Sequence, residues 1–390
     1  MITVREITTD EGFAGLKSDW DGLFADCTYP SVFCSWAWAL EWWRNFGMGD
    51  SLCFQLLILA AYNAEGCLIG LAPFYYPAAG QPILGLRPLR PLGTRIRCTQ
   101  DDMTEEPIIL LRQGSEEAAL KAIAASLLRR TLSVDLVQMR LMHSPNSPEL
   151  VSSLRKPSHG APYLLMRNRQ RYAQTITLPK TWAAFRNGLS RSMKDNLPYY
   201  PRLLTREGHD WQVRVVQNPD EMNAAVQTLS ELHQLRALSS RGPAHTNHLP
   251  TWKQQQFFIS VMTRLAAEGK ASVLLLEIDG QTIAAQSVLE YAGILTFYYS
   301  GFDPDWHRYS PLLILNTQAI QSALERGFKS VNYLPEPEPW KMRWGAESTF
   351  VLDEFSYLSL HPRAILRSAW RSILRRMGSS CDCGFCQLPE

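Results

Sequence analysis

Val273-Leu274-Leu275-Leu276-Glu277-Ile278-Asp279-Gly280-Gln281-Thr282-Ile283-Ala284-Ala285 reads as two apolar strands joined by a two-residue turn. Asp-Gly suits that turn because both residues tolerate the positive φ that hairpin twist requires. Further on, Ile294 to Ser300 is a third strand and Val331 to Leu334 a fourth. Between them Trp306-His307-Arg308-Tyr309 leads to Ser310-Pro311, an N-cap with proline at the first helical position. A helix then runs to about Arg326, before Gly327. Cationic and hydroxyl side chains ahead of a helix start bind phosphate well, because free amides and the helix dipole both favour an anion.

Outward from this stretch, the first half of the chain repeats the theme. Leu56 to Tyr62 and Cys67 to Tyr75 are apolar strands around Asn63-Ala64-Glu65-Gly66. Helical sequence precedes each hairpin: Phe33 to Phe46 in the first half, Pro219 to Leu238 and Trp252 to Glu268 in the second. The pattern predicts a duplicated α/β domain. Breakers at Ser144-Pro145-Asn146-Ser147-Pro148 and Lys156 to Pro162 place the boundary between the halves. The expected division is 1–165, 166–360 and a tail, 361–390. Within Trp182 to Arg206, Pro198 and Pro201 are expected to end one helix and start another.

The 390 residues carry a formal charge of +2, so nothing demands a dedicated DNA-binding role. No uncharged apolar run reaches the roughly 18 residues of a membrane span. The start, Met1-Ile2-Thr3-Val4-Arg5-Glu6, lacks a signal-peptide pattern, and a cytoplasmic address is expected. Cys27, Cys34, Cys53, Cys67 and Cys98 lie among apolar neighbours, as buried thiols in a reducing compartment would.

Several short motifs, taken in order, carry a family likeness. Phe33-Cys34-Ser35-Trp36 with Trp42-Trp43-Arg44-Asn45-Phe46-Gly47, Leu232-His233-Gln234-Leu235-Arg236, Tyr298 to Asp303, Tyr309-Ser310-Pro311, and Trp340-Lys341 with Trp344 form the set. It resembles the GNAT-superfamily acyltransferases of the CelD/BioF2-like group, which are similar to the Fem-type aminoacyltransferases. The resemblance spans the chain to about residue 360. It implies two tandem GNAT-like domains, each a mixed twisted sheet flanked by helices, with the N-terminal one degenerate and shaping an acceptor cleft. Two departures stand out: Leu312 occupies a position where the family often has glycine, and Asn332-Tyr333-Leu334-Pro335-Glu336 lacks the usual aspartate and glycine.

The resemblance also implies the chemistry. An acyl-CoA, acetyl-CoA or another, would be the co-substrate, its pantetheine arm bonded by the backbone of the strand at Tyr298, Tyr299 and Ser300. Arg308, Tyr309 and Ser310 would hold the diphosphate, although Ser310 as a plain N-cap needs no ligand. A lysine-like amine is mostly protonated at neutral pH, so acyl transfer needs a proton acceptor. Glu336 and Glu338 are the candidates, and burial would raise a glutamate towards neutrality; the resemblance favours Glu336, His233 and Asp303 stand behind them, and a solvated Pro-Glu-Pro-Glu-Pro loop is the plain alternative. Tyr298, Tyr299, Tyr309 and Tyr333 are possible proton donors to the leaving thiolate or, equally, core residues.

His233 and Arg236 share a helical face, where arginine would grip an anionic group of the acceptor or simply form an internal salt bridge. Lys341 is either a substrate-binding cation or a side chain snorkelling over Trp340 and Trp344. In the tail, Arg363, Arg367, Arg371 and Arg375 line one side of a basic amphipathic helix, followed by Cys381, Cys383 and Cys386. That helix would either touch an anionic membrane or pack on the domain. The leading expectation is an N-acyltransferase acting on an amino group of a sugar, amino acid or small metabolite. Its rivals are a Fem-like enzyme drawing on charged tRNA and a catalytically silent scaffold.

Overall fold

The computed structural model describes residues 1–47, 54–78, 87–94, 103–129, 134–145, 148–152, 154, 163–240 and 245–366. The expected tail helix beyond Leu366, the tail cysteines, Cys53 and Cys98 lie outside the described residues. The chain divides into two compact units. One comprises Met1–Arg171 with the described residues from Phe350 onward; the other is Tyr172–Thr349.

The first unit contains β1 (Thr3–Ile7), α1 (Asp10–Gly15), α2 (Lys17–Ala25), α3 (Trp36–Trp42), β2 (Phe54–Tyr62) and β3 (Leu68–Pro77). It continues with β4 (Pro88–Pro91), β5 (Leu110–Leu111), α4 (Glu116–Arg129), β6 (Leu136–His143) and α5 (Pro148–Ser152). The chain leaves this unit within β7 (Tyr163–Thr177). The second unit follows with α6 (Trp182–Gly188), α7 (Arg191–Arg206), β8 (Trp211–Val216), α8 (Pro219–Leu238), α9 (Trp252–Ala267), β9 (Ala271–Ile278) and β10 (Gln281–Tyr291). Then come β11 (Ile294–Phe302), α10 (Pro311–Glu325), β12 (Ser330–Pro335) and α11 (Pro339–Arg343), and β13 (Glu347–Ser359) returns the chain to the first unit.

The two units repeat one topology. In the first, the strands run β1-β2-β3-β4-β6-β13; in the second, β8-β9-β10-β11-β12-β7. Position by position the pairings agree: three antiparallel neighbours, one parallel pair (β4 with β6, β11 with β12), then a closing antiparallel strand. A helix, α4 or α10, makes the crossover that a parallel pair requires. The fold is therefore α/β, with a mixed sheet flanked by helices in each unit. The closing strands differ from the 166–360 expectation. Val351 to Leu358 of β13 pair with His143 to Leu136 of β6, so this strand adds its hydrogen bonds to the first unit.

Local chemistry accounts for the second unit's elements. Asp279 (φ 51°) and Gly280 (φ 78°) turn the β9–β10 hairpin, whose first pair is Gln281 with Ile278. Asn218 caps α8, and Thr251 with Gln254 forms a capping box on α9. Leu274 and Leu276 of β9, Leu295 and Phe297 of β11, and Val331 of β12 pack against Leu197 and Leu204 of α7 and Ile314 and Leu315 of α10. α8 and α9 also pack on the sheet.

Two expectations need correction. Pro198 and Pro201 do not divide α7, which runs unbroken from Arg191 to Arg206. A proline at 198 leaves the Lys194 carbonyl without its helical donor, and Arg186 Nη2 supplies one at 3.3 Å. Cys67 is exposed in the first hairpin, whereas Cys27 and Cys34 are buried thiols as expected.

Candidate functional site

The second unit's sheet opens between β11 and β12. These strands pair in parallel only through Ile294–Ser330, Leu295–Val331 and Thr296–Asn332. Beyond that point β11 continues to Phe302 and β12 to Pro335 without a shared ladder. The parting has a local cause. Between the pairs Gln286–Ser300 and Val288–Phe297, β11 sets two residues, Tyr298 and Tyr299, against Ser287 alone. Such a bulge bends the strand and twists it away from its neighbour. Side chains pin it: Ser287 Oγ accepts from the Tyr299 amide at 2.9 Å, and Gln286 Nε2 donates to the Tyr299 carbonyl at 3.1 Å. Gln286 and Ser287 are both buried.

One lip of the opening is held by α8. Gly301 lets that helix approach so closely that a β-carbon at 301 would lie 2.2 Å from the His233 nitrogen. His233 Nδ1 then reaches the Ser300 carbonyl at 2.7 Å, while its Nε2 accepts from the His248 amide at 3.1 Å. With one ring nitrogen donating to a carbonyl and the other accepting from an amide, the imidazole is fixed in a neutral tautomer. It is thus committed to structure, which corrects the expectation of a proton acceptor at His233. Arg236, one turn on, donates from Nη1 to Ser300 Oγ at 3.2 Å and lies 5.4 Å over the Phe302 ring. Burial lowers the Arg236 guanidinium, and the charge of Glu338 opposes that shift.

The other lip is the turn after β12. Leu334 (φ 66°) and Glu336 (φ 81°) are left-handed without being glycines, a strained arrangement that surrounding bonds must hold. Asn332 Oδ1 accepts from the Leu334 amide at 2.8 Å. Lys341, 4% exposed, donates from Nζ to the carbonyls of Pro335 (3.1 Å) and Glu336 (3.0 Å) and pairs with Glu338 Oε1 (3.0 Å). The ammonium has three protons and three acceptors. Lys341 is therefore neither a snorkelling side chain nor a free substrate cation; it clamps the turn. Glu338 Oε2 also accepts from Trp340 Nε1 at 2.9 Å. Burial raises the Glu338 carboxyl, but Lys341, Trp340 and Arg236 together bring it below the ordinary glutamate value. Glu336 is exposed, so burial does not supply the raised carboxyl that would suit a base.

The structure thus brings Arg236, Ser300, Glu338 and Lys341 together, with His233 behind them. Tyr299 is buried among His233, His248 and Phe258, and its ring stacks on Tyr298 with centroids 3.9 Å apart. Asp303 is engaged locally. Its side chain accepts from the Asp305 amide and caps the 3-10 turn Pro304–Tyr309.

The expected phosphate site is engaged by the protein itself. Arg308 Nη2 pairs with Glu207 Oε1 at 2.6 Å, and Tyr309 Oη donates to the other Glu207 oxygen. His209 joins Tyr309 Oη (3.2 Å) to Asp279 (2.7 Å), and these hydrogen bonds hold the Glu207 and Asp279 carboxyls below their usual range. Ser310 does not cap α10 with its side chain; it is itself left-handed at φ 47°. Its amide donates to the His307 carbonyl, Pro311 has none, and the Leu313 amide returns to the Ser310 carbonyl at 2.9 Å. Of the first-turn amides through Leu313, only that of Leu312 is left to offer.

Residues 191–342 match the family described as an acetyltransferase (GNAT) domain. No curated protein matches the sequence. Among solved structures, FemX is similar over 94% of this chain and 100% of its own, at 9% identity and a TM-score of 0.61. A conserved protein of unknown function from Bacteroides thetaiotaomicron VPI-5482 is similar over 92% and 100%, at 9% identity and a TM-score of 0.52. A tandem GNAT protein from the clavulanic acid biosynthesis pathway covers 91% and 98%, at 12% identity and a TM-score of 0.46. The matched residues lie within the second unit, and the fold is similar to that of FemX. Among the described residues no helix is long and apolar enough to cross a membrane.

Sequence reasoning missed Gly301, His248, Gln286 and Ser287. Gln286-Ser287 did carry a signal, since two polar residues interrupt the apolar run from Ile283 to Leu289.

Proposed function

We propose that this protein is an N-acyltransferase. It takes an acyl group from a phosphopantetheine thioester, with coenzyme A the first donor to test, and passes it to an amine on a sugar, amino acid or small metabolite. The observation that carries this reading is the parting of β11 from β12 after Thr296–Asn332, at a bulge pinned by Gln286 and Ser287. An opened sheet edge receives an extended, amide-bearing arm as it would receive another strand. The thioester carbonyl then lies against backbone donors that can stabilise the oxyanion formed on attack.

In this reading the amine enters beside Arg236, whose guanidinium holds an anionic group on the acceptor. Glu336, exposed on the turn after β12, is the proposed proton acceptor, reached directly or through water. The amine nitrogen bonds to the acyl carbon, the carbon–sulfur bond breaks, and the thiolate leaves to be protonated.

Thermal-shift measurement with a series of acyl-CoAs, followed by intact-mass assays on candidate amines, tests the proposal. A stabilising acyl-CoA and an amine product heavier by the acyl group are expected. Acyl transfer only in the presence of charged tRNA would favour the Fem-like rival, and absence of any donor binding would favour the silent scaffold.

A further inference from the structure

Six cations (Lys180, Arg186, Arg191, Lys194, Arg202, Arg206) and one acid (Asp195) occupy residues 180–206, in a chain whose net charge is only +2. On α7 the cations share one side. At about 100° per residue, Lys194, Arg191, Arg202 and Arg206 fall within an arc of about 120°, which also holds the single acid Asp195. Leu197, Leu203 and Leu204 occupy the opposite, buried side. Arg191, Arg202 and Arg206 are exposed, and Tyr199 stands 49% exposed at the edge of the same stripe. Among the described residues Arg191, Lys194 and Arg202 have no ion pair. Four cations against one acid leave this stripe net positive, suited to an acidic surface.

The stripe lies beside the donor end of the opened sheet. α7 packs against α10 and against the 3-10 turn that links α10 to β11. That corner lacks the means to grip a nucleotide: Glu207 already occupies Arg308, and the α10 start offers a single free amide through Leu313. We infer that the acyl donor is delivered on a phosphopantetheine arm by an acidic carrier protein that docks on the basic face of α7. This rests on the thioester reading above and assigns the recognition to protein–protein charge contacts instead of a diphosphate clamp.

The dimensions favour a small protein over a nucleic acid. α7 spans about 24 Å at 1.5 Å per residue, the length of one facing acidic helix. A net charge of only +2 gives the chain no large overall positive charge with which to hold a long polyanion. An exposed tyrosine bordering charged residues is also typical of protein contact surfaces.

The test uses the full chain and three probes carrying the same group: octanoyl-loaded acyl carrier protein of a bacterial fatty-acid synthase, octanoyl-CoA and octanoyl-pantetheine. Calorimetry is expected to show the carrier binding at least 10-fold more tightly than octanoyl-CoA, with affinity falling as salt rises. Arg191→Glu/Arg202→Glu is expected to weaken carrier binding by 10-fold or more and leave octanoyl-pantetheine unchanged. Arg191→Gln/Arg202→Gln, with circular dichroism to verify folding, should give an intermediate loss. Octanoyl-CoA binding as tightly as the carrier, or a carrier affinity insensitive to both variants, overturns the inference. Binding of octanoyl-pantetheine without the carrier overturns the docking inference and leaves the acyltransferase reading standing; binding of none of the three removes both. Binding of bulk tRNA that is lost in the Glu variant would reassign the face to nucleic acid and overturn the carrier inference.

Discussion

Gly301 on β11 and His233 on α8 touch backbone to backbone: a β-carbon at position 301 would stand 2.2 Å from the His233 nitrogen and 2.5 Å from the Leu232 carbonyl carbon. Neither obstacle is a flexible side chain. Gly301→Ala must therefore push α8 away from β11 and break the His233–Ser300 bond. A loss of at least about 2 kcal/mol is expected, the upper part of the overpacking range. Urea denaturation measures it; an unchanged midpoint would show that α8 does not lie against the sheet in this way.

Lys341 supports the strained turn after β12 through three bonds, two of them to backbone carbonyls. Lys341→Met removes the donor and leaves those acceptors unsatisfied, at a cost of about 1–3 kcal/mol. Lys341→Arg should not restore the loss, because a planar fork cannot reproduce a compact three-way ammonium. Denaturant midpoints of the three proteins decide the matter, and full stability in the Met variant would refute the clamp.

Glu338 gives the same turn a pH signature. Its folded carboxyl is held below the ordinary 4.5, so the associated stability is complete above that value and is lost as pH falls through the lowered one. The side chain is about half exposed, and solvent screening limits the contribution to at most ~1 kcal/mol. The stability gap between the parent and Glu338→Gln should be constant at neutral pH and close below about pH 4. A gap that instead widened in acid would contradict the pairing with Lys341.

In α7 the helical bond from residue 198 to Lys194 is replaced by the Arg186 side chain. Pro198→Ala restores the native helical donor, and a gain of roughly 1–2 kcal/mol is expected from the ~3 kcal/mol that separates proline from alanine in a helix interior. Thermal unfolding of the variant checks this. A decrease in stability would mean that the helix is not continuous through 198.

Much of the fold was legible because its signals are local. Asp279-Gly280 specifies its turn by its own φ angles, and Pro311 and Gly327 punctuate α10 without help from elsewhere. The duplicated topology followed from recognising the same hairpin twice. The candidate site was less legible, since distant partners decide it. Arg308 looks like a phosphate ligand until Glu207, a hundred residues earlier, is seen beside it. Ser310 has the composition of a cap, but a left-handed backbone turns it away from that role. Pro198 reads as a breaker because the rescuing guanidinium belongs to another helix. The bulge at Tyr298 and Tyr299 depends on Gln286 and Ser287 of the neighbouring strand, which no window along β11 contains.

In the proposed reaction the opening between β11 and β12 receives the acyl donor's arm. Amide hydrogen exchange on the full chain, with and without saturating acyl-CoA or acyl-pantetheine, checks this. New protection is expected in residues 297–302 and 333–338 of the second unit and none in the β2–β3 hairpin of the first. Protection confined to the first unit, or a bound thioester that leaves 297–302 and 333–338 exchanging as before, would contradict it.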